Sequence, residues 1–290
     1  FNIWSAVLIE SLENIATAIE SLQSNPFRDY ILPVGSVLVS GAVGVFAANY
    51  SVHKHESNKA AISNIEAVNS ILLSTCNARE NLIAIKGNYC NQIDSHPINR
   101  LLAIPPIFFD SNKIYIDAPK LSFLHSGKTS QDVSKWLNAG RINGMFKNYN
   151  FLLEIWDKRN ELYEEHLLPI VCDKHAGQIN HQELIAELGL GKVAEMSDVT
   201  EQVIMLTDDI LVEMCCFLEA FSTLSKDTVN LKVAKRYREI FVFKLPTSNI
   251  SEYAVDMMSL TPALDLNMLT KVLKVPKKEA EQRYQRLYLP

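Results

Sequence analysis

From Tyr30 to Val52 the chain carries no Asp, Glu, Lys, Arg or His, and almost every residue there is apolar or small. A helix rises about 1.5 Å per residue, so this run is long enough to cross the roughly 30 Å hydrocarbon core of a bilayer. Uninterrupted charge-free runs of this length are rare in soluble folds, where such a helix must be covered on all sides. A cleaved signal peptide fits less well. Glu10, Glu13, Glu20 and Asp29 precede the run in place of a basic segment, and no small-residue cleavage site stands out. The expectation is a single anchor, with Pro33 in its first turn, where a missing N–H costs least.

Flanking charge gives the anchor a direction. Arg28 is the one basic residue upstream, whereas Lys54 and Lys59 follow downstream beside His53 and His55. The positive-inside rule then places the C-terminal mass in the cytoplasm, and the expected location is the inner membrane of a bacterial cell. Cys76, Cys90, Cys172, Cys215 and Cys216 form an odd, unpatterned set that suits a reducing compartment. The net charge of −5 provides no basic field for general nucleic-acid binding. The chain opens on Phe1 rather than Met, so an upstream element is expected.

Periodicity predicts a mainly α fold. One transmembrane helix leads into a cytosolic antiparallel helical bundle or stalk with a small β-hairpin insertion. The expected divisions are an amphipathic helix over 1–29, the span over 30–52, the bundle over 53–246 and a small helical unit over 247–290. In the first helix Leu8, Leu12, Ile15, Ile19 and Leu22 alternate steps of four and three, a stripe suited to self-association. Within the span Ser36, Ser40, Gly44 and Ala48 fall four apart, the small-residue strip that lets two membrane helices approach closely.

Beyond the span, Ile62, Ile65, Val68, Leu72, Cys76 and Ile83 mark a helix over about Glu56–Asp94. Ile107-Phe108-Phe109 and Ile114-Tyr115-Ile116, separated by Asp110 to Lys113, read as the hairpin. A second long helix is expected from Thr129, boxed by Asp132, to Pro169, with Met145, Tyr149, Leu152, Trp156, Arg159, Tyr163 and His166 on its stripe. Asn180 and Glu183 make a further capping box, with Gly189 as its stop. Ser197 is expected to cap a third long helix bearing Val203, Leu206, Ile210, Met214, Phe217, Phe221 and Leu224. A last bundle helix is expected over about Asp227–Phe243.

Chemistry-bearing motifs are few. Gly127-Lys128-Thr129 lacks the earlier glycine of a phosphate-binding loop, since Ser122 stands in that place, and Thr129 reads as a helix cap. His166, Cys172, Asp173, His175 and His181 are metal-competent, yet their spacing matches no common zinc pattern and reads as a surface connection. Cys215-Cys216 reads as core filler, and Asp208-Asp209 as a solvated helix face. No catalytic constellation and no cofactor are expected. The tail has the rhythm of helix, turn, helix, with Lys274, Lys277, Lys278, Arg283 and Arg286 as a basic surface. Such a surface suits an acidic protein partner, anionic lipid or, as a rival reading, DNA. The function expected is that of a non-enzymatic, membrane-anchored interaction component that forms homo-oligomers and receives a cytosolic protein partner. Two rivals are an oligomeric membrane-perturbing effector of an antiphage or toxin-like module, and a membrane-tethered DNA-binding regulator.

Overall fold

The computed structural model describes residues 2–21, 32–125, 134–174, 179–230, 232–233, 236, 239–244, 257 and 259–286. Outside them lie Tyr30, Asn25-Pro26, Gly127-Lys128-Thr129 with Asp132, His175 and residues 246–249. The chain divides into two compact units, Phe1–Ala60 and Ala61–Pro290. The described residues are mainly helical and contain no strand.

The first unit holds α1 (Asn2–Ser21) and the opening of α2 (Leu32–Gly87), a helix of 56 residues. Ile9, Leu12 and Ile15 of α1 are exposed. So is the charge-free stretch of α2, where large apolar side chains are between 54% (Val52) and 76% (Phe46) exposed. This stretch is long and apolar enough to cross a membrane, and its most apolar part is not buried by any of the described residues. No break separates it from the helix expected after it.

The second unit is built on three long helices. From Ile65 onward α2 turns Val68, Ile71, Leu72, Leu82 and Ile85 into a core shared with α4 (Ala139–Leu162) and α7 (Leu190–Leu224). The stripes read from sequence are the ones buried: Met145, Tyr149, Leu152 and Trp156 on α4, and Val203, Ile210, Met214, Phe217 and Phe221 on α7. Asn81 meets Tyr149, and eight residues on Tyr89 meets Trp156, so α2 and α4 run in the same direction. The expected antiparallel hairpin of these two helices is therefore not formed. The long stretch between them is ample to carry the chain back to α4's start. α7 runs against both, with Lys86 and Arg79 beside its middle and Arg141 opposite Glu213.

Residues 104–117 contain no hairpin, which corrects the expected β insertion. The two runs do not pair with each other because amide side chains pair with them first. Asn160 donates to the Ile107 carbonyl at 2.8 Å and accepts from its N–H at 3.2 Å. Asn150 does the same for Ile114 at 2.9 Å each way. Asn81 grips Asp110 at 2.8 and 3.2 Å. A primary amide presents the same donor and acceptor as a neighbouring strand, so each Asn replaces one residue of a ladder.

Other boundaries also moved. α4 starts at Ala139, where the Asn138 side chain accepts from the Arg141 N–H at 3.1 Å. Pro169 does not end the run. A π turn over Tyr163–Leu167 widens the helix just before it, and Pro169 falls in the first turn of α5 (Leu168–Lys174), where its missing N–H is tolerated. The Asn180/Glu183 capping box opens α6 (His181–Leu188), and Gly189 at φ 75° supplies the left-handed turn into α7. Because α7 begins at Leu190, Ser197 lies inside it and caps nothing. Of the helix expected over about Asp227–Phe243, residues 232, 233 and 236 are helical, and the helix does not reach Phe243. Residues 239–244 are irregular, and Asn69 holds them by the Glu239 carbonyl and Phe241 N–H at 2.9 and 3.0 Å. Three shorter helices are α3 (Pro97–Ala103), α8 (Leu266–Leu273) and α9 (Lys277–Arg283).

Candidate functional site

α7 carries acids inside its apolar stripe. Glu201, Ile204, Asp208 and Leu211 follow steps of three and four on one face, and all are buried. This overturns the reading of Asp208-Asp209 as a solvated face, since both side chains are enclosed. The cause is a set of cations delivered from three other segments.

Asp208 is the centre of the set. Its Oδ1 accepts from Lys86 Nζ at 2.6 Å, and its Oδ2 from the Thr261 N–H at 2.9 Å and hydroxyl at 2.6 Å. Arg286 Nη1 donates to the same Oδ2, and Arg286 Nη2 reaches Thr261 Oγ1 at 2.6 Å. Lys86 also donates to the Ser259 carbonyl. The Lys86 and Asp208 side chains are 1% and 0% exposed. In so dry a place the ions are kept only because nearly every lone pair and donor is matched.

Two further acids on α7 repeat the pattern toward its start. Glu201 Oε2 accepts from Arg100 Nη1 at 2.8 Å, while Arg100 Nε donates to the Asp94 carbonyl at 2.6 Å and Nη2 to the Pro262 carbonyl. Burial pushes the Glu201 carboxyl up to about 7, against the opposing pull of Arg100 and Arg286. Among the described residues its second oxygen, Oε1, has no partner, nor have the buried hydroxyls of Ser197 and Thr200 on the same stretch of helix. Asp198 accepts from Arg283 and from the Tyr284 hydroxyl. Burial, then that bond to Asp198, holds the Tyr284 hydroxyl well above its usual range.

Local sequence explains how the tail reaches α7. Asp265 caps α8, accepting from the N–H groups of Asn267 and Met268 at 2.9 and 3.1 Å, while its own N–H donates to the Ser95 carbonyl at 2.9 Å. Lys274 at φ 56° ends α8 in the left-handed conformation, and Pro276 opens α9. Leu269 and Val272 are buried, and the return places Tyr284 and Arg286 beside α7. A cleft of about 220 Å³ remains between α7 and this segment, with Arg100, Glu201, Thr261, Tyr284 and Arg286 on its polar side.

The residues singled out by sequence are distributed as follows. Ser36, Ser40, Gly44 and Ala48 all lie exposed on α2, and a Cβ at Gly44 would meet nothing within 4 Å. Lys274, Lys277 and Lys278 are exposed. Arg283 is half exposed in its pair with Asp198, and Arg286 is turned inward onto Asp208. His181 stacks on His96 at 4.5 Å and bonds to Asn99 at 2.7 Å. Its imidazole is held below its usual range by burial and then by His96. His166 lies beside Glu165, and Cys172 is exposed. Among the described residues no group of three His, Cys, Asp or Glu side chains is placed to hold a metal ion.

Sequence reading missed Lys86, Arg100, Glu201 and Asp208. The available signal was a charge at a stripe position, since Asp208 stands four residues after Ile204 and three before Leu211. Comparison with known protein families, with curated proteins and with solved structures found no match.

Proposed function

We propose that this chain is a single-span protein of the bacterial inner membrane whose helical domain, on the cytoplasmic side, binds protein partners. The observation that carries the reading is the exposure of the α2 stretch from Val34 to Val52. Val37, Val39, Val45, Phe46 and Tyr50 are each between 64% and 76% exposed, with no charge among them. So large an apolar surface has to be covered by something outside the chain, and lipid is the solvent that suits a helix apolar on every side. Exposed Ile9, Leu12 and Ile15 on α1 and, separately, the strip of Ser36, Ser40, Gly44 and Ala48 on α2 support assembly into homo-oligomers. The tail favours a protein partner over DNA. Arg283 and Arg286 are engaged with Asp198 and Asp208, and Glu279 and Glu281 interrupt the lysines of α9.

Carbonate extraction of membranes tests the anchor directly. The full chain is expected to stay in the membrane pellet, whereas Val43→Arg with Phe46→Glu should release it to the supernatant. Release of the unaltered chain would refute the reading. A C-terminal fluorescent-protein fusion that stays dark would refute the orientation. Ser40→Leu with Gly44→Leu is expected to reduce oligomer size in detergent, and an unchanged size would count against the strip. Growth arrest by the full chain, lost when residues 30–52 are removed, would favour the membrane-perturbing variant of this reading.

A further inference from the structure

Two histidines join the start of α3 to the start of α6. The His96 and His181 rings stack at 4.5 Å between centroids, with 23° between their planes. Hydrogen bonds around them fix where the protons sit. Asp94 Oδ1 accepts from the His96 N–H and Oδ2 from Asn99 Nδ2, each at 2.7 Å. Asn99 therefore turns its Oδ1 to His181, whose Nε2 carries a hydrogen and donates at 2.7 Å. His96 Nδ1 caps α3 by accepting from the Ile98 N–H at 3.3 Å, which leaves its hydrogen on Nε2. At the other end of α6, Gly189 at φ 75° closes that helix and opens α7. Of the 8 residues of α6 only Leu184 is buried, so its hold on the domain is light.

We propose that this histidine stack is a proton-sensitive clasp, closed while both rings are neutral and opened by acidification, when the start of α6 leaves α3 with Gly189 as the hinge. A proton added to His96 lands on Nδ1, opposite the Ile98 N–H, and removes the cap of α3. One added to His181 lands on Nδ1 at the first residue of α6, where the helix dipole is already positive. With both in place, two like charges face each other across 4.5 Å. Asp94 acts on both rings, and one carboxylate offsets one imidazolium and leaves the second uncompensated. The other charges nearby are engaged. Arg100 donates from Nε to the Asp94 carbonyl, Glu183 accepts from the Asn180 N–H, and Asp265, whose N–H meets the Ser95 carbonyl, caps α8. Burial first, then His96, holds the His181 imidazole below its usual range, against the pull of Asp94. The stacked ring thus resists a proton that the freed ring accepts. The clasp is firm above about pH 6.5 and weakens as the pH falls below it. Every residue involved belongs to the second unit, so the clasp does not depend on the membrane reading.

The test is hydrogen exchange of the full chain in detergent, read by mass spectrometry at about pH 7.5 and about pH 5.5 and corrected for the intrinsic effect of pH. Residues 181–188 are expected to exchange about tenfold faster, relative to α7, at the lower pH. His181→Gln keeps a donor for Asn99, and His96→Asn keeps a capping oxygen for the Ile98 N–H. Neither replacement titrates, and each should remove the response. The sign separates the clasp from Glu201, which takes up a proton on folding and so favours the folded chain as the pH falls. Exchange over α6 that does not change with pH would overturn the proposal. So would a response that persists in either variant.

Discussion

Replacing Asp208 by Asn tests whether the cluster on α7 is as dry as its geometry implies. The carboxylate accepts from Lys86, from Arg286 and twice from Thr261, and its side chain is 0% exposed. Asparagine keeps the shape and offers one oxygen, but its NH2 then faces groups that are all donors. Lys86 and Arg286, 1% and 13% exposed, are left as buried cations without a counter-charge. Removing one partner of a buried pair costs about 3–5 kcal/mol, a large share of the 5–15 kcal/mol typical of a whole domain. At about 2–4 °C per kcal/mol for a domain of this size, the melting temperature should fall by roughly 6–20 °C. The assay is urea unfolding of the full chain in detergent, followed by tryptophan fluorescence. Trp156 is a local reporter, since its Nε1 donates to Thr207 at 3.1 Å beside the cluster. The combined change Lys86→Met, Asp208→Leu and Arg286→Met should recover most of the loss, because an apolar replacement leaves no ion to desolvate. A loss below about 1 kcal/mol for Asp208→Asn would show that water reaches the ions, as at a surface pair, and the argument would fail.

Glu201 makes stability depend on pH in a defined window. Its carboxyl is raised from 4.5 to about 7 in the folded chain, so between those values the folded chain holds a proton that the unfolded chain has released. Stability is therefore fullest below 4.5 and declines as the pH rises through about 7, by roughly 3 kcal/mol at ~1.4 kcal/mol per pH unit. Glu201→Gln should flatten that part of the profile in chemical denaturation at stepped pH, and an unaltered slope would remove Glu201 as its source. Asn150→Leu should free the Ile114 N–H and carbonyl at a cost of about 2 kcal/mol. Hydrogen exchange over residues 104–117 should then quicken about tenfold or more, and exchange matching the unaltered chain would mean that the amide holds nothing. Arg159→Met strips donors from the carbonyls of Leu101, Ile104 and Pro105 at the end of α3. A loss of about 2–3 kcal/mol is expected in the same urea assay, and no loss would mean those carbonyls are satisfied elsewhere.

Much of the helical frame was legible because the signals behind it are local. Repeats such as Met145, Tyr149, Leu152 and Trp156 place a core face whatever lies opposite, and Asn180 with Glu183 announces a helix start unaided. What stayed hidden depends on residues far apart in the chain. Ile107-Phe108-Phe109 and Ile114-Tyr115-Ile116 have the composition of strands, and only Asn150 and Asn160 on a distant helix decide otherwise. Asp208 looks like a surface acid until Lys86 and Arg286 arrive from 122 residues before it and 78 after. The direction of α4 relative to α2 is likewise set by a long connection whose path no local pattern encodes. Glu201 was missed for the same reason, its partner Arg100 lying 101 residues away.

The asparagine grips on residues 104–117 touch main chain alone. They read an N–H and a carbonyl, which every residue but proline offers, and they ask nothing of the side chains at the positions between. Phe108 and Tyr115, 95% and 82% exposed, are thus carried on a fixed frame without helping to hold it. That separates two duties usually fused in a protein surface. The course of the segment is written in α2 and α4, and its outward face can be rewritten at will. A segment of this kind can exchange one set of outward residues for another while the domain beneath keeps its shape, much as a tool holder accepts different bits.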